Sequence, residues 1–336
     1  MNVQVSEAAL VELVSKVLQH AGVIASTAQA VALTVAAAER DGAHSHGLIR
    51  LEGYLGSIAS GWVDGQAIVT VRDQAPSVVH ADAANGFAQG ALHAARSMLI
   101  SKARSQGVAS LVISNSHHFG CLWPDVEPFA ESGLVAMCFV NSRSRMVAPG
   151  ARRKVLGTNP MAFAAPRTNL PPLVWDQASS VMAHGDVIIA AKTGARLPPN
   201  AGVDREGNAT DDPAAVLDDG ALLPFASHKG LLIALLVEIL AAGLTGGRFG
   251  YEDESGSFPG AQTSNAGQLV IALDPVRMGA SHFGERIDEL LSVLTQAGTA
   301  RLPGQRRYEQ REVSRRDGIQ LAQERYQELL RMAGSS

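Results

Sequence analysis

Beyond about residue 77 the chain alternates between short β-rich runs and helical stretches: SVVHAD, then 86–106, then VASLVISN, then 124–132, then LVAMCFVN. Such alternation confines the chain to an α/β architecture, because each one-sided helix must bury its apolar stripe against a sheet. Residues 268–273 (QLVIAL) read as a further strand and 281–297 as a helix. Ahead of the alternation, residues 6–20 carry apolar positions at helical spacing from a Ser6 cap to a stop before Gly22, and Ser26 caps a second helix over 27–39. LLIALLVEILAAGL (231–244) is too short to cross a bilayer and carries Glu238 near its middle, so it reads as a buried helix. Residues 192–226, rich in Gly, Pro, Asp and Asn, read as one long irregular excursion, and 301–316 as a basic tail leading into a last helix.

At 336 residues, 46% of them apolar and 18% charged, the chain is enzyme-sized and suggests two or three lobes. A formal charge of −4 argues against a nucleic-acid partner, so any phosphate must be met by local clusters. The two cysteines, Cys121 and Cys138, have no CxxC spacing, and MNVQVSEAALVELV lacks the cationic start and apolar core of a secretory signal. The cytoplasm is the expected location.

No GxGxxG or GxxxxGK[ST] occurs, which removes the standard dinucleotide and P-loop folds from sequence argument. SHKG (227–230) runs straight into the apolar helix, and a lysine and a histidine at a helix N-terminus suit a phosphate, although Lys229 also fits a solvated helix start. Four polar clusters carry the chemistry: HSH at 44–46, NSHHFG at 115–120, GTNP at 157–160 and HGD at 184–186. As metal ligands, HxH and HH would suit a zinc hydrolase, but no HExxH or cysteine set supports them, and no metal is expected. His20, His80, His93 and His282 read as chemically idle. Proton transfer suits RDGAHSHGLIR better. Arg50 lies one turn from His46 if helix resumes at Gly47, so a carboxylate in its guanidinium fork would sit beside the imidazole. Ser45 orients that ring on this reading, and an aspartate such as Asp186 holds its other nitrogen. The absence of a GxSxG elbow sets a serine hydrolase aside.

The sequence resembles the malate/L-lactate dehydrogenase type 2 family, NAD(P)-dependent reductases with a non-Rossmann cofactor fold, through DGAHSHGLIR, NSHHFG, GTNPMAFAAP, AHGDV, the Gly/Pro-rich 194–213 region and LLPFASHKG. These motifs keep their order from about residue 26 to residue 308. Within the family it is most similar to the Δ1-piperideine-2-carboxylate/Δ1-pyrroline-2-carboxylate reductases, through RDGAHSHG, SGWVDGQA, NSHHF followed by LWPDVEPFAE, SVMAHGDV, ALLPF and RLPGQRRY.

The resemblance implies an α/β fold of the malate/L-sulfolactate dehydrogenase-like type, with a helical substrate-side and dimerisation lobe over 1–75 and 295–336 and a cofactor lobe over 76–294. It implies NADPH, with NADH as the other possibility, and reduction of cyclic imino acids to L-pipecolate or L-proline by a homodimer. Ser45 and Asp186 match the relay pair, His46 the proton donor, and Arg50 and Thr158 the substrate-carboxylate positions. Cofactor contacts fall on His118, Phe119, Gly120, Cys121 and Leu122, on Asp176, Gln177 and Ala178, on His184 and Gly185, and on His228 and Lys229. They continue through Arg301, Leu302, Pro303, Gly304, Gln305, Arg306 and Arg307. His44 is expected to support and His117 to be structural. The rival within the family is a 2-oxo acid reductase acting on malate, lactate, sulfolactate or ureidoglycolate. The chain departs from the family pattern at FASHKG, where Ala226 and Ser227 stand for glycines, at WDQASS, and at YEDESG, which lacks tryptophan. These departures bear on substrate range and cofactor preference more than on reaction class.

Overall fold

The structure, a computed structural model, describes residues 2–334. Ser6 caps the first helix, α1 (Glu7–His20), through its side chain, whereas α2 (Ala25–Arg40) begins one residue before Ser26 with Ile24 at an uncapped start. With α3 (Leu51–Ala59) they pack a helical lobe around Leu10, Val14, Leu18, Val31, Val35, Leu51 and Tyr54. The chain ends close this lobe: β1 (Asn2–Val5) pairs antiparallel with the late strand Ile319–Ala322, and the last helix, Gln323–Met332, buries Leu329 there.

The main body is a seven-stranded sheet. Its strands are β2 (Thr70–Ala75), β3 (Val78–Phe87), β4 (Val108–His118), β5 (Val135–Val140), and, after two short strands β6 (Met146–Val147) and β7 (Lys154–Leu156) that belong elsewhere, β8 (Met161–Ala165) and β9 (Leu173–Gln177). The strand Ser264–Leu273 lies in the middle, between β4 and β5. Only β3 and β4 run parallel; the other neighbours are antiparallel, so this is not the parallel doubly wound sheet of a standard dinucleotide fold. The helices α4 (Ala88–Gln106) and α5 (Trp123–Glu131) cover one face, over Leu99, Leu111, Ile113, Phe129 and Val270.

Three expectations change. Residues 192–226 are not one loose excursion: after α6 (His184–Thr193) come β10 (Gly202–Val203), β11 (Ala209–Thr210), α7 (Pro213–Leu217) and β12 (Ala221–Leu222), which join β6 and β7 in a five-stranded sheet. The apolar run at 231–244 is α8 (His228–Glu238) followed by a π-helical turn at Ile239–Gly243, and it is only half buried. Val237 and Ala241 face the sheet, while Leu232, Ile239 and Leu244 are each 60% exposed. The basic tail is itself helical: α9 (Phe283–Gln296) is followed by α10 (Gln305–Asp317), which turns Arg311 inward between Asp41 and Glu127.

Candidate active site

The RDGAHSHGLIR stretch folds over Glu39, at the end of α2. One Glu39 oxygen accepts the Leu48 N–H at 2.7 Å and the other meets His44 Nδ1 at 2.5 Å, which gathers the chain into two successive 3-10 turns, His44–His46 and Leu48–Arg50. Gly47 lies so close that a Cβ there would stand 2.1 Å from Glu39 Oε1. The motif thus needs a glycine between its last histidine and the following turn. The residues Arg40 and Asp41 are consumed in structure: Arg40 binds Glu7 and Asp41, and Asp41 also takes Arg311 and the Trp123 indole N–H.

His46 and Arg50 emerge from these turns into one cavity of about 210 Å³. Ser45 Oγ meets His46 Nδ1 at 3.0 Å, as expected of the residue that orients the ring, whereas the other ring nitrogen, expected to be held by Asp186, has no contact with it. Asp186 is exposed on the first turn of α6, forms no hydrogen bond with Ser45 or His46, and acts by charge on Arg50. Arg50 Nε donates to the Ser45 carbonyl at 2.8 Å, and its guanidinium lies 4.5 Å from the Phe119 ring centre. A Cβ on Gly185 would come within 2.5 Å of Arg50 Nη2, so this glycine lets the guanidinium into the cavity. Burial first, then the charges of Arg50 and His118, push His46 down to about 3. It is therefore a neutral imidazole at neutral pH.

The opposite wall is built from two strand ends. His118 closes β4, and its Nε2 meets Asp125 Oδ2 at 2.9 Å, an oxygen that also accepts Gln268 Nε2 at 2.8 Å. Phe119, Gly120, Cys121 and Leu122 follow along the wall. The Leu122 N–H reaches Asp176 Oδ2 at 3.1 Å, at the end of β9, and Arg307 Nη1 holds Asp176 Oδ1 at 2.9 Å while stacking over Trp123. Asp176, Gln177, Ala178, His184 and Gly185 also line the cavity, with Thr158. Thr158 is set by its neighbour. Asn159, fully buried at φ 38°, donates to Ala234 O at 2.9 Å and Glu238 Oε2 at 2.6 Å and accepts the Ser142 N–H at 3.2 Å.

Other expected residues stay outside the lining. His228 and Lys229 are exposed on the first turn of α8, and Arg301, Leu302, Pro303, Gly304, Gln305 and Arg306 lie away from the cavity, with Arg307 reaching it only through Asp176. The FASHKG departure is visible in the backbone: Ala226 and Ser227 adopt φ 45° and 57°, the left-handed region that glycine would occupy freely. The histidine pairs do not converge as metal ligands. His44 meets Glu39, and His117 is bracketed by Thr263 and Asn85, as a structural histidine should be. No three His, Cys, Asp or Glu groups gather in metal-binding geometry among the described residues. Sequence reasoning missed Arg145, Gln262, Asn141, Ser142 and Ser264, which also line the cavity. Only Arg145 carried a signal, the charge-rich NSRSR run.

Residues 5–330 match the malate/L-lactate dehydrogenase family. A Δ1-pyrroline-2-carboxylate/Δ1-piperideine-2-carboxylate reductase of Pseudomonas syringae pv. tomato is 52% identical over 330 residues, 98% of this chain and 96% of the relative. A (2R)-3-sulfolactate dehydrogenase (NADP(+)) of Chromohalobacter salexigens is 40% identical over 293 residues, 87% of this chain and 86% of the relative. The crystal structure of Δ1-piperideine-2-carboxylate reductase from Pseudomonas syringae pv. tomato has a TM-score of 0.96 at 51% identity, covering 98% of this chain and 99% of that one.

Proposed function

The chain belongs to the malate/L-lactate dehydrogenase family, and from that premise we propose that it is an NADPH-dependent reductase of cyclic imino acids, converting Δ1-piperideine-2-carboxylate to L-pipecolate and Δ1-pyrroline-2-carboxylate to L-proline. The observation that carries this reading is the convergence of His46 and Arg50 on one cavity that residues 118–122 and 176–178 also line. The residues fit a nicotinamide ring: Phe119, Gly120, Cys121, Leu122 and Ala178 line one wall of the cavity with small or apolar groups, beside the Asp176 carboxylate that Arg307 holds. The exposed side chains of Lys229, Arg301 and Arg306 lie outside the cavity lining, form no ion pair among the described residues, and with His228 are the groups we assign to a 2′-phosphate. When bound, the reduced nicotinamide supplies a hydride. Arg50 and Thr158 hold the substrate carboxylate and fix the ring. The carboxylate offsets the Arg50 charge that depresses His46, so the imidazole can hold a proton at the imine nitrogen, with Ser45 fixing its tautomer and Asp186 balancing Arg50.

The same arginine and histidine would serve a carbonyl oxygen, and the sulfolactate dehydrogenase relative favours that as a second reading. NADPH oxidation with Δ1-pyrroline-2-carboxylate, Δ1-piperideine-2-carboxylate, pyruvate and oxaloacetate side by side decides between them. Turnover of the two imines well above the oxo acids is expected, and the reverse order overturns the imine reading. Equal efficiency with NADH would remove the 2′-phosphate assignment. We assign the cofactor to residues 76–294 and the substrate-side lobe to 1–75 with 295–336. We further propose a cytoplasmic homodimer. Both cysteines are free, and the apolar face of α8 and its π turn, at Leu232, Leu235, Leu236, Ile239 and Leu244, suits a second copy.

A further inference from the structure

Arg145 lines the same cavity as Arg50, and nothing in the proposed reduction of a monocarboxylic imine uses it. Its backbone is clamped in the small sheet, with its N–H on Leu156 O at 2.9 Å and its carbonyl accepting Leu222 N–H at 2.8 Å, so the side chain enters the cavity from a rigid base. There its Nη1 donates to His184 Nε2, a neutral acceptor. Neither Arg145 nor Arg50 forms an ion pair among the described residues, and Asp253, the acidic group that bears on Arg145, is not bonded to it. The two guanidinium groups also act on the neighbouring residues His184 and Gly185, at the start of α6. Burial and the like charges of Arg143 and Arg50 hold Arg145 well below the ordinary arginine range.

Two like charges facing one cavity repel, and each is buried with no carboxylate in direct contact, Asp186 and Asp253 acting only at a distance. One carboxylate satisfies one of them. We propose that Arg145 is a specificity-determining residue, and that with Arg50 it fits the cavity to planar ring acids carrying a second carboxylate. This rests on the imine-reductase reading, with Arg50 and Thr158 taking the C2 carboxylate and Arg145 the other. The chemistry is unchanged: C2 gains a hydride drawn from reduced nicotinamide, which is thereby oxidised, the π pair of the C=N bond moves to nitrogen, and nitrogen takes the proton held at His46. The second carboxylate stays intact.

Calorimetric titration of the full chain in saturating NADP+ compares pyridine-2-carboxylate with the 2,3-, 2,4-, 2,5- and 2,6-dicarboxylate isomers. At least one dicarboxylate binds about tenfold or more tighter than the monocarboxylate, the increment of one charge-assisted hydrogen bond. In Arg145→Leu that increment disappears while pyridine-2-carboxylate and NADP+ affinities stay within about threefold, and Arg145→Lys retains part of it. The proposal is overturned if no isomer outbinds the monocarboxylate, if Arg145→Leu weakens both classes alike, or if the loss falls on NADP+. Absence of imine turnover with these affinities intact would sink the reductase reading instead and leave the paired arginines standing.

Discussion

On the proposed mechanism His46 must carry a proton that its buried place beside Arg50 disfavours. Its low value of about 3 has Arg50 as the largest cause after burial, so an anion on Arg50 and a proton on His46 favour each other. Arg50→Ala is accordingly expected to raise the substrate KM more than about tenfold, from the ~1.5–3 kcal/mol of a charge-assisted bond, with cofactor KM unchanged. His46→Ala is expected to lower kcat by about 10²–10⁴ instead, and steady-state kinetics on both variants separates binding from proton transfer. These two residues were legible because their chemistry and spacing sit in one short motif. Glu39 was not: it acts on the motif through the Leu48 N–H, a backbone contact that no side-chain pattern announces. Ser227 offers a third test. At φ 57° and ψ −118° it holds a conformation costing an L-residue about 1–3 kcal/mol. Ser227→Gly should therefore stabilise by about 1 kcal/mol after the entropy of glycine is counted, read as a higher melting temperature. A lower melting temperature would assign the position to its hydroxyl instead.

Among the elements, the strands and helices with a clear period were readable, and those whose shape depends on a neighbour were not. QLVIAL marked the central strand, but its start at Ser264 and its bulge between Ala266 and Gln268 follow from the π turn packed on it. The two approach so closely that a Cβ on Gly267 would stand 1.7 Å from Ala241 O. Gly267→Ala must push the π turn off the sheet, and with it Glu238, whose carboxylate holds Asn141, Asn159 and the Gly250 N–H. Because Asn159 anchors the turn that carries Thr158, to which we assigned the substrate carboxylate, the variant is expected to lose stability and to raise substrate KM together. Urea unfolding and steady-state kinetics on the same preparation check both. The two-residue strands of the small sheet carry no period at all, which is why 192–226 read as a loop. A uniformly apolar helix reads as buried for a similar reason: composition alone does not say that one face lacks a sheet to rest on.

On the scale of the whole molecule, the cavity lies where three bodies meet, with His46 and Arg50 from the helical lobe, Phe119 and Asp176 from the main sheet, and Arg145 and His184 from the small sheet and α6. Folding buries histidines in neutral form, in the cavity and beside it: His46 and His117 are pushed down to about 3 and His184 to about 2, with burial the largest cause in each. An unfolded chain protonates such groups near 6.5, so between pH 6.5 and about 3 the unfolded state binds more protons and stability falls as pH falls. His44 opposes this, since Glu39 raises it, but its ring is 66% exposed and solvent screens the effect. His117 is the cleanest probe, being fully buried, outside the cavity lining and held by Thr263 and Asn85. A single group of this kind removes up to about 1.4 kcal/mol of stability per pH unit inside the window. His117→Gln, which cannot titrate, should be less stable than the native chain at pH 7.5 through its lost hydrogen bonds, yet lose less on going from pH 6.5 to 4.5. Urea midpoints measured across that range test it, and parallel slopes for the two proteins would show that His117 does not carry the acid sensitivity assigned to it.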